Sequence, residues 1–597
     1  MKANFLVSAH RRARIPGSRR LFVTDPYVKH ALEASGDDRG YDEIESARPS
    51  RTTREAFLRD HDFVDGRHRS YLLLLVERLN TLHDTRHEPT FWRKAFALSL
   101  LRHVTLCYDL FQACEDNHRV DEHDCRILAE RSFFVPGDFN THRRFFQHTD
   151  FGQEQLFSIY CRMFHPDRYA EYEDTHRWQN IPSESPPVRP RMHRRLARLH
   201  PRRIVRRLLR VRKPTVGVIN SYFSERNLDR LIFRSRGRIQ YMEPPTAPQA
   251  SGPIDWERRA ILCRDEPGFD RFDRFVFAAL RHGMPRTFVE DFGRSCACYE
   301  EFFSRLPSLR WIVCEAWIGD GASSLLLAVA GRRHVQHLYN EHNYLGHPFL
   351  GNNLKYLLPL VDEFATLGWS DGRASNLVPA ASLFPWIVPR SRAARRDILY
   401  VASLPQVRAP EINASYGESG PVNAPSYLAF IRTFFDALPD ATLAEIVLRK
   451  YPARHARAMQ SYDLSYALGS RIARMKRVDD HTPSARTLLS DARLVIADYI
   501  STTYLEGLMS DIPTIFFWNR DAYYLEPGFE HFFDALRDAG VCQTDPLEAA
   551  RLVEAVKEDP EVWWHSPAVR DARSRFLYAN MGIADTMVRH LLRKAAT

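Results

Sequence analysis

Apolar residues recur at three- and four-residue spacings from Tyr71 to about Thr175, the period of helices with one buried face. After Pro214 the texture changes. Short β-rich runs appear at Thr215–Asn220, Trp311–Ala316, His334–Tyr339, Ile398–Ala402, Ala444–Leu448, Arg493–Ala497 and Pro513–Phe517, with helical patterns between them. Such alternation predicts βαβ units and a parallel sheet. The runs fall into two groups, divided near Pro385–Arg396, where prolines and a charged run break the pattern. The chain therefore reads as two α/β domains in series. The first spans 1–390, with a helical insertion at about 55–180 and a basic linker at about 186–213. The second spans 396–597, and its last helix is a candidate to pack back on the first. One earlier strand is expected at Arg20–Thr24.

Composition narrows the class. At 597 residues the chain is too long for one core, and 44% apolar with 12% aromatic residues excludes global disorder. No run approaches the roughly 18 apolar residues of a membrane span. Basic residues follow Phe5-Leu6-Val7 at once, leaving no room for an export signal. Nine cysteines include no C-x-x-C pair, and Cys296 and Cys298 read as reduced thiols, so a cytoplasmic protein is expected. The net charge of +10 is concentrated: Val188–Lys213 carries twelve Arg or Lys and no acid. This stretch reads as a solvated linker or as a peripheral contact with the anionic inner face of the plasma membrane, each basic residue there contributing about 1 kcal/mol. No recognised nucleic-acid module accompanies it, so no nucleic-acid partner is expected.

The most informative stretch is Ala492–Trp518. It predicts a buried strand, a helix opening at Ser501, Thr502 and Thr503, and a second strand after Pro513. Hydroxyls at a helix N-terminus beside unpaired amides bind phosphate without a metal. Glu506, one turn on, can hold nucleotide hydroxyls, and Asp498 ends the preceding strand. Thr503 and Glu506 equally fit a capping box. Upstream, Arg449 and Lys450 follow a strand end, which in open α/β sheets points into the ligand crevice. Arg449 can grip phosphate oxygens with its two-pronged fork.

These residues resemble the O-antigen and surface-polysaccharide biosynthesis transferases. The resemblance is carried by Asp498–Glu506 with Asp511–Asn519, by Leu79-Asn80-Thr81-Leu82-His83 with Phe91-Trp92-Arg93, by Glu315–Gly321, and by Glu341-His342-Asn343 with Asp362–Trp369. It spans most of the chain in order. It implies a GT-B-like α/β fold, a pair of Rossmann-type domains facing a cleft, with the helical block as an N-terminal insertion. It also implies glycosyl transfer from a nucleotide-sugar to a polysaccharide or lipid-linked acceptor, in O-antigen, lipopolysaccharide or capsule synthesis. One departure is Thr24-Asp25-Pro26-Tyr27, where such proteins carry a Trp-Cys pair after the first strand.

Inverting transfer needs a base to take the acceptor hydroxyl's proton. His342 is the first candidate, with Glu341 as its orienting partner or as the base itself, and Glu315 with Asp320 form a second pair. These residues read equally as loop positions bonding to backbone. His118, His123 and Cys125 lack metal-site spacing, and Asp60-His61-Asp62 lies at the edge of the helical block, so no metal or other cofactor is expected. A sugar-nucleotide epimerase on the same fold and a non-catalytic scaffold of polysaccharide assembly remain the alternatives.

Overall fold

The computed structural model describes residues 4–6, 13–46, 53–115, 124–147, 149–174, 213–219, 223, 225–245, 252–314, 321–341, 354–370, 372, 374–380, 391, 395–403, 423–450, 461–479, 484–500, 502–525, 530–582 and 585–596. Strands β1 (Asn4–Leu6), β2 (Arg20–Val23) and β3 (Glu43–Ser46) form a small parallel sheet of their own. Asp25, two residues after β2, caps the helix Pro26–Ser35 by accepting from the Tyr27 N–H at 2.7 Å.

Two long helices follow, Arg54–Leu82 and Pro89–Glu115. The first begins well before Tyr71 because Thr53 Oγ1 accepts from the Ala56 N–H at 3.2 Å, an N-cap that apolar spacing does not reveal. The second is buried nearly all round, the mark of a helix inside a core. It packs against the helix Gly321–Arg332, with Ser324 Oγ donating to the Ala95 carbonyl at 3.0 Å. The helical block is therefore part of the first domain's core. It also holds a parallel strand pair, β4 (Cys125–Leu128) with β5 (Tyr169–Tyr172), that the helical period hides.

Two six-stranded, wholly parallel sheets make up the rest. The first contains β6 (Val216–Ile219), β7 (Ile239–Tyr241), β8 (Trp311–Cys314), β9 (Gln336–Asn340), β10 (Glu363–Thr366) and β11 (Leu377–Pro379), in the order β7-β6-β8-β9-β10-β11. The second contains β12 (Asp397–Val401), β13 (Ile446–Arg449), β14 (Arg477–Val478), β15 (Ala492–Ala497), β16 (Thr514–Phe517) and β17 (Cys542–Gln543), in the order β14-β13-β12-β15-β16-β17. Central strands such as β6 and β8 carry no polar side chain because both faces are covered. Counted within itself, the second sheet has the 3-2-1-4-5-6 order of the dinucleotide-binding Rossmann fold. The α/β, GT-B-like pair of Rossmann-type units expected from the sequence is the architecture observed.

The chain crosses between the halves at its end. After the helix Pro567–Asn580, Gly582 N–H donates to the Leu367 carbonyl at 2.8 Å and Met581 bridges Gly368. Gly368 has φ +142°, and a Cβ there would lie 1.9 Å from Gly582 N, so only glycine fits. The last helix, Asp585–Ala596, then covers the first sheet. Its Met587, Val588, Leu591 and Ala595 are buried with Val218, Leu231 and Ile239, and Thr215 Oγ1 donates to the Ala595 carbonyl at 3.2 Å. Among the described residues no helix is long and apolar enough to cross a membrane. The basic stretch up to residue 212 lies outside the described residues.

Candidate functional site

In the second sheet the strand order reverses between β12 and β15, so their carboxyl ends flank the crevice where open α/β sheets bind ligands. Asp498 follows β15 and is fully buried. Its carboxylate accepts from the Ser403 N–H at 2.8 Å, Tyr400 OH at 2.9 Å and Tyr427 OH at 2.6 Å. Ser403 Oγ in turn meets Tyr523 OH at 2.8 Å. Burial pushes the Asp498 carboxyl up to about 6, against the opposing pull of these donors, and raises both bonded phenols. The carboxylate thus ties β12 and the turn after it to the helix Ala424–Asp436, and Ser403 extends the tie to the loop after β16.

The helix Thr502–Met509 rises from the same edge. Thr502 and Thr503 are half-buried in its first turn, and Ser501 lies outside the described residues. Tyr504, Leu505 and Leu508 bury the opposite face. Gly507 passes β16 so closely that a Cβ would sit 2.1 Å from Thr514 Oγ1. This packing brings the helix N-terminus, the positive end of its dipole, to the carboxyl edge of β15. Glu506 is 9% exposed. Burial pushes its carboxyl up to about 7, with the Arg486 charge opposing.

Arg449 ends β13, in register with Val401 of β12, which itself pairs with Ala497 of β15. The three strand ends therefore lie side by side. The Arg449 guanidinium pairs with the buried Asp479 carboxylate, and Asp479 N–H donates to the Leu448 carbonyl at 2.8 Å. Lys450 Nζ donates to Ser465 Oγ at 2.8 Å. A guanidinium carries five donors, so pairing with one carboxylate is compatible with gripping a second anion.

Of the first domain's candidates, His342, Glu315 and Asp320 lie outside the described residues. Glu341 follows β9 and is 5% exposed. Its Oε2 accepts from the Leu367 N–H at 3.0 Å and the Trp369 indole N–H at 2.8 Å. Burial pushes its carboxyl up to about 7 despite these two donors. Glu341 is thereby fixed to the Leu367–Trp369 loop, the same loop that meets the chain crossing.

Other motif residues are held by the fold itself. Asn80 Oδ1 accepts from Thr85 Oγ1 at 3.0 Å, the His87 N–H at 3.0 Å and the Trp92 indole N–H at 2.9 Å, closing the turn between the two long helices. His83 Nε2 lies 2.8 Å from the Phe288 carbonyl and its ring stacks on Phe292. Asp511 accepts from Trp564 Nε1 at 2.9 Å and Arg573 at 2.6 Å. Asp60 accepts from Tyr108 OH at 2.9 Å. Among the described residues, no group of three or more His, Cys, Asp or Glu is placed to hold a metal. Sequence reasoning passed over the pair Cys314 and His337, 2.9 Å apart inside the first sheet, and the aromatic stretch Trp518–Leu525 after β16.

The profile described as LIC12162 family transferase matches residues 5–594, and the chain belongs to that family. No curated protein matches the chain. Solved structures with partial likeness include MurG of Acinetobacter baumannii, 10% identical over 64% of this chain and 99% of that one, with a TM-score of 0.32. An α,α-trehalose-phosphate synthase (UDP-forming) from Burkholderia vietnamiensis is 9% identical over 64% and 98%, also with a TM-score of 0.32. The glycotransferase of kitacinnamycin is 13% identical over 64% and 100%, again with a TM-score of 0.32.

Proposed function

We propose that this LIC12162 family transferase moves a sugar from a nucleotide-activated donor to a glycan or lipid-linked acceptor in the assembly of bacterial surface polysaccharide. The observation that carries the reading is the carboxyl edge of the second sheet. There Arg449, the reversal point between β12 and β15, and the N-terminus of the helix Thr502–Met509 share one edge. A helix N-terminus and a guanidinium together suit a leaving diphosphate or phosphate and require no metal. In this reading Ser501, Thr502 and Thr503 meet the phosphate, Glu506 meets nucleotide hydroxyls, and Lys450 adds charge at the rim. Asp498 positions the crevice through its three donors.

The base comes from the first domain. His342, next to the fixed Glu341, takes the acceptor proton, or Glu341 does so itself, its carboxyl near 7 being matched to proton transfer at neutral pH. The protein works on the cytoplasmic side, with the basic stretch 188–213 resting on anionic lipid. The test is thermal-shift screening against CMP, CDP, UDP, GDP and dTDP, followed by calorimetry, because selective binding stabilises the fold by mass action. Arg449→Ala is expected to weaken binding of the selected nucleotide by about 1–3 kcal/mol, the worth of a charge-assisted hydrogen bond. Binding by the variant equal to wild type overturns this donor site. His342→Ala is expected to lower turnover about 100- to 10,000-fold and leave nucleotide affinity unchanged. Tight nucleotide binding with no turnover on any acceptor would favour the scaffold.

A further inference from the structure

The last helix, Asp585–Ala596, covers one face of the first sheet together with the helix Glu225–Arg234, and the two lie against each other. Leu228, Leu231 and Ile232 of one, and Met587, Val588 and Leu591 of the other, are buried with Val216, Val218 and Ile239 of the sheet. That burial fixes what both helices turn to solvent. At about 100° per residue, Arg226, Arg230 and Phe233 fall in one sector, opposite the buried residues. All three are exposed, Phe233 by 70%. Arg234 and Arg236 are exposed beside them, and Arg589 and Arg593 occupy the outward side of the last helix. Among the described side chains of the two helices the only carboxylate is Asp229, which is half-buried. Among the described residues, Arg226, Arg234, Arg236 and Arg593 have no carboxylate partner.

A lone exposed aromatic ring needs no explanation. Here the ring stands among guanidinium groups whose charge the protein leaves unanswered, and basic residues beside an apolar anchor are the make-up of surfaces that lie on membranes. Two neighbouring features agree. Thr215 Oγ1 and Arg238 Nη1 both donate to the Ala595 carbonyl, at 3.2 and 3.1 Å. The stretch Val188–Lys213, with its twelve Arg or Lys, therefore joins the fold at the end of the same helix. Beside that helix a cavity of about 500 Å³ sets Arg589, His590 and Arg593 among Val378, Pro379 and Leu592. Guanidinium groups next to apolar walls suit a phosphate that carries a hydrocarbon. We propose that this two-helix face docks on an anionic lipid bilayer, its arginines on headgroup phosphates and Phe233 in the layer beneath them. RNA would answer the same charges, but it has no use for the apolar walls, and no nucleic-acid module is present in the sequence. The docking extends the membrane contact proposed for the basic stretch to the folded domain, and it does not depend on the donor site.

The experiment is co-sedimentation of the full chain with sucrose-loaded vesicles, of phosphatidylcholine alone or mixed with phosphatidylglycerol. The chain should bind the anionic vesicles and not the neutral ones, and less tightly as salt is raised. Replacing every Arg and Lys of 188–213 by Gln removes the charge of the stretch, and the folded face should still bind. In that background Arg226→Glu with Arg234→Glu should weaken binding at least tenfold. Phe233→Ser should weaken it at least threefold. All three positions are exposed, so melting temperatures should stay as they are. The milder pair Arg226→Gln with Arg234→Gln should give an intermediate loss. The inference is overturned if neutralising the stretch alone abolishes binding, if the face variants bind as their parent does, or if single-stranded RNA binds the face more tightly than anionic vesicles do. Nucleotide binding, measured on the same variants, should match that of the parent. Its absence from every one of them, parent included, would sink the donor reading and leave the vesicle result standing.

Discussion

Asn80 satisfies a hydroxyl, a backbone amide and an indole with one carbonyl oxygen. Asn80→Ala would leave the fully buried Trp92 N–H without its acceptor, at a cost of about 1–3 kcal/mol. A urea titration should show the midpoint falling with an unchanged slope; an unaltered midpoint would show that the turn holds without it. The carboxylates act on a different variable. Glu341, ordinarily near 4.5, is pushed to about 7, so between those values the folded chain holds a proton that the unfolded chain releases. Stability from this group is full below about pH 4.5 and is lost as pH rises through about 7, at up to about 1.4 kcal/mol per pH unit. Asp498 and Glu506 act in the same direction. Glu341→Gln keeps an acceptor oxygen for Leu367 and Trp369, so it should lose less stability than wild type between pH 5 and pH 8. Parallel losses in the two proteins would contradict this. The sequence made Asn80 and Asp498 visible as motif residues but not their tasks, since an amide or carboxylate that organises a turn has the same letter as one that meets a ligand. The partners that decide the matter lie far along the chain, as Tyr400 does from Asp498, 98 positions away.

At the scale of elements, the helix Thr502–Met509 and β16 fit only because Gly507 has no side chain. Alanine is favoured over glycine by about 1 kcal/mol inside a helix, yet here its Cβ would sit 2.1 Å from Thr514 Oγ1 and 3.0 Å from Thr514 Cβ. Overpacking of this kind costs about 1–3 kcal/mol, so Gly507→Ala should lower the melting temperature. Adding Thr514→Ala removes the nearest atom and should restore much of the loss; a double variant no better than the single would place the strain elsewhere. Central strands were legible because both of their faces are buried, which leaves unbroken apolar runs such as Ile446-Val447-Leu448. The edge strands β7, β11, β14 and β17 have two or three residues, too few to display any period. The short β4 and β5 were hidden by the helical spacing around them.

For the whole molecule, the two strand groups announced two sheets, but no periodicity could say that the helix Pro89–Glu115 would pack into the first domain's core. That depends on burial all round one helix, which looks the same in sequence as a strongly apolar amphipathic face. The closing helix is a second long-range feature. Leu591 is fully buried against the first sheet, so Leu591→Ala should cost about 2–5 kcal/mol. Limited proteolysis should then cut the variant between the helices Pro567–Asn580 and Asp585–Ala596 faster than wild type. Equal cutting would mean that the remaining contacts, including His590 with Glu363 at 2.7 Å, suffice to hold the helix down.

The order in which the chain is made turns this last helix into a timing problem. The first sheet's final strand ends at Pro379, and the helix that covers it begins at Asp585. About 200 residues intervene, roughly 10–40 s of synthesis at 5–20 residues per second. Throughout that interval the nascent first half presents Val218, Leu231 and Ile239 with no cover from Leu591. A ribosome stalled before residue 585 would release a sticky chain, prone to aggregate. Supplying residues 585–596 as a separate peptide during translation of such a truncated message should raise the soluble yield.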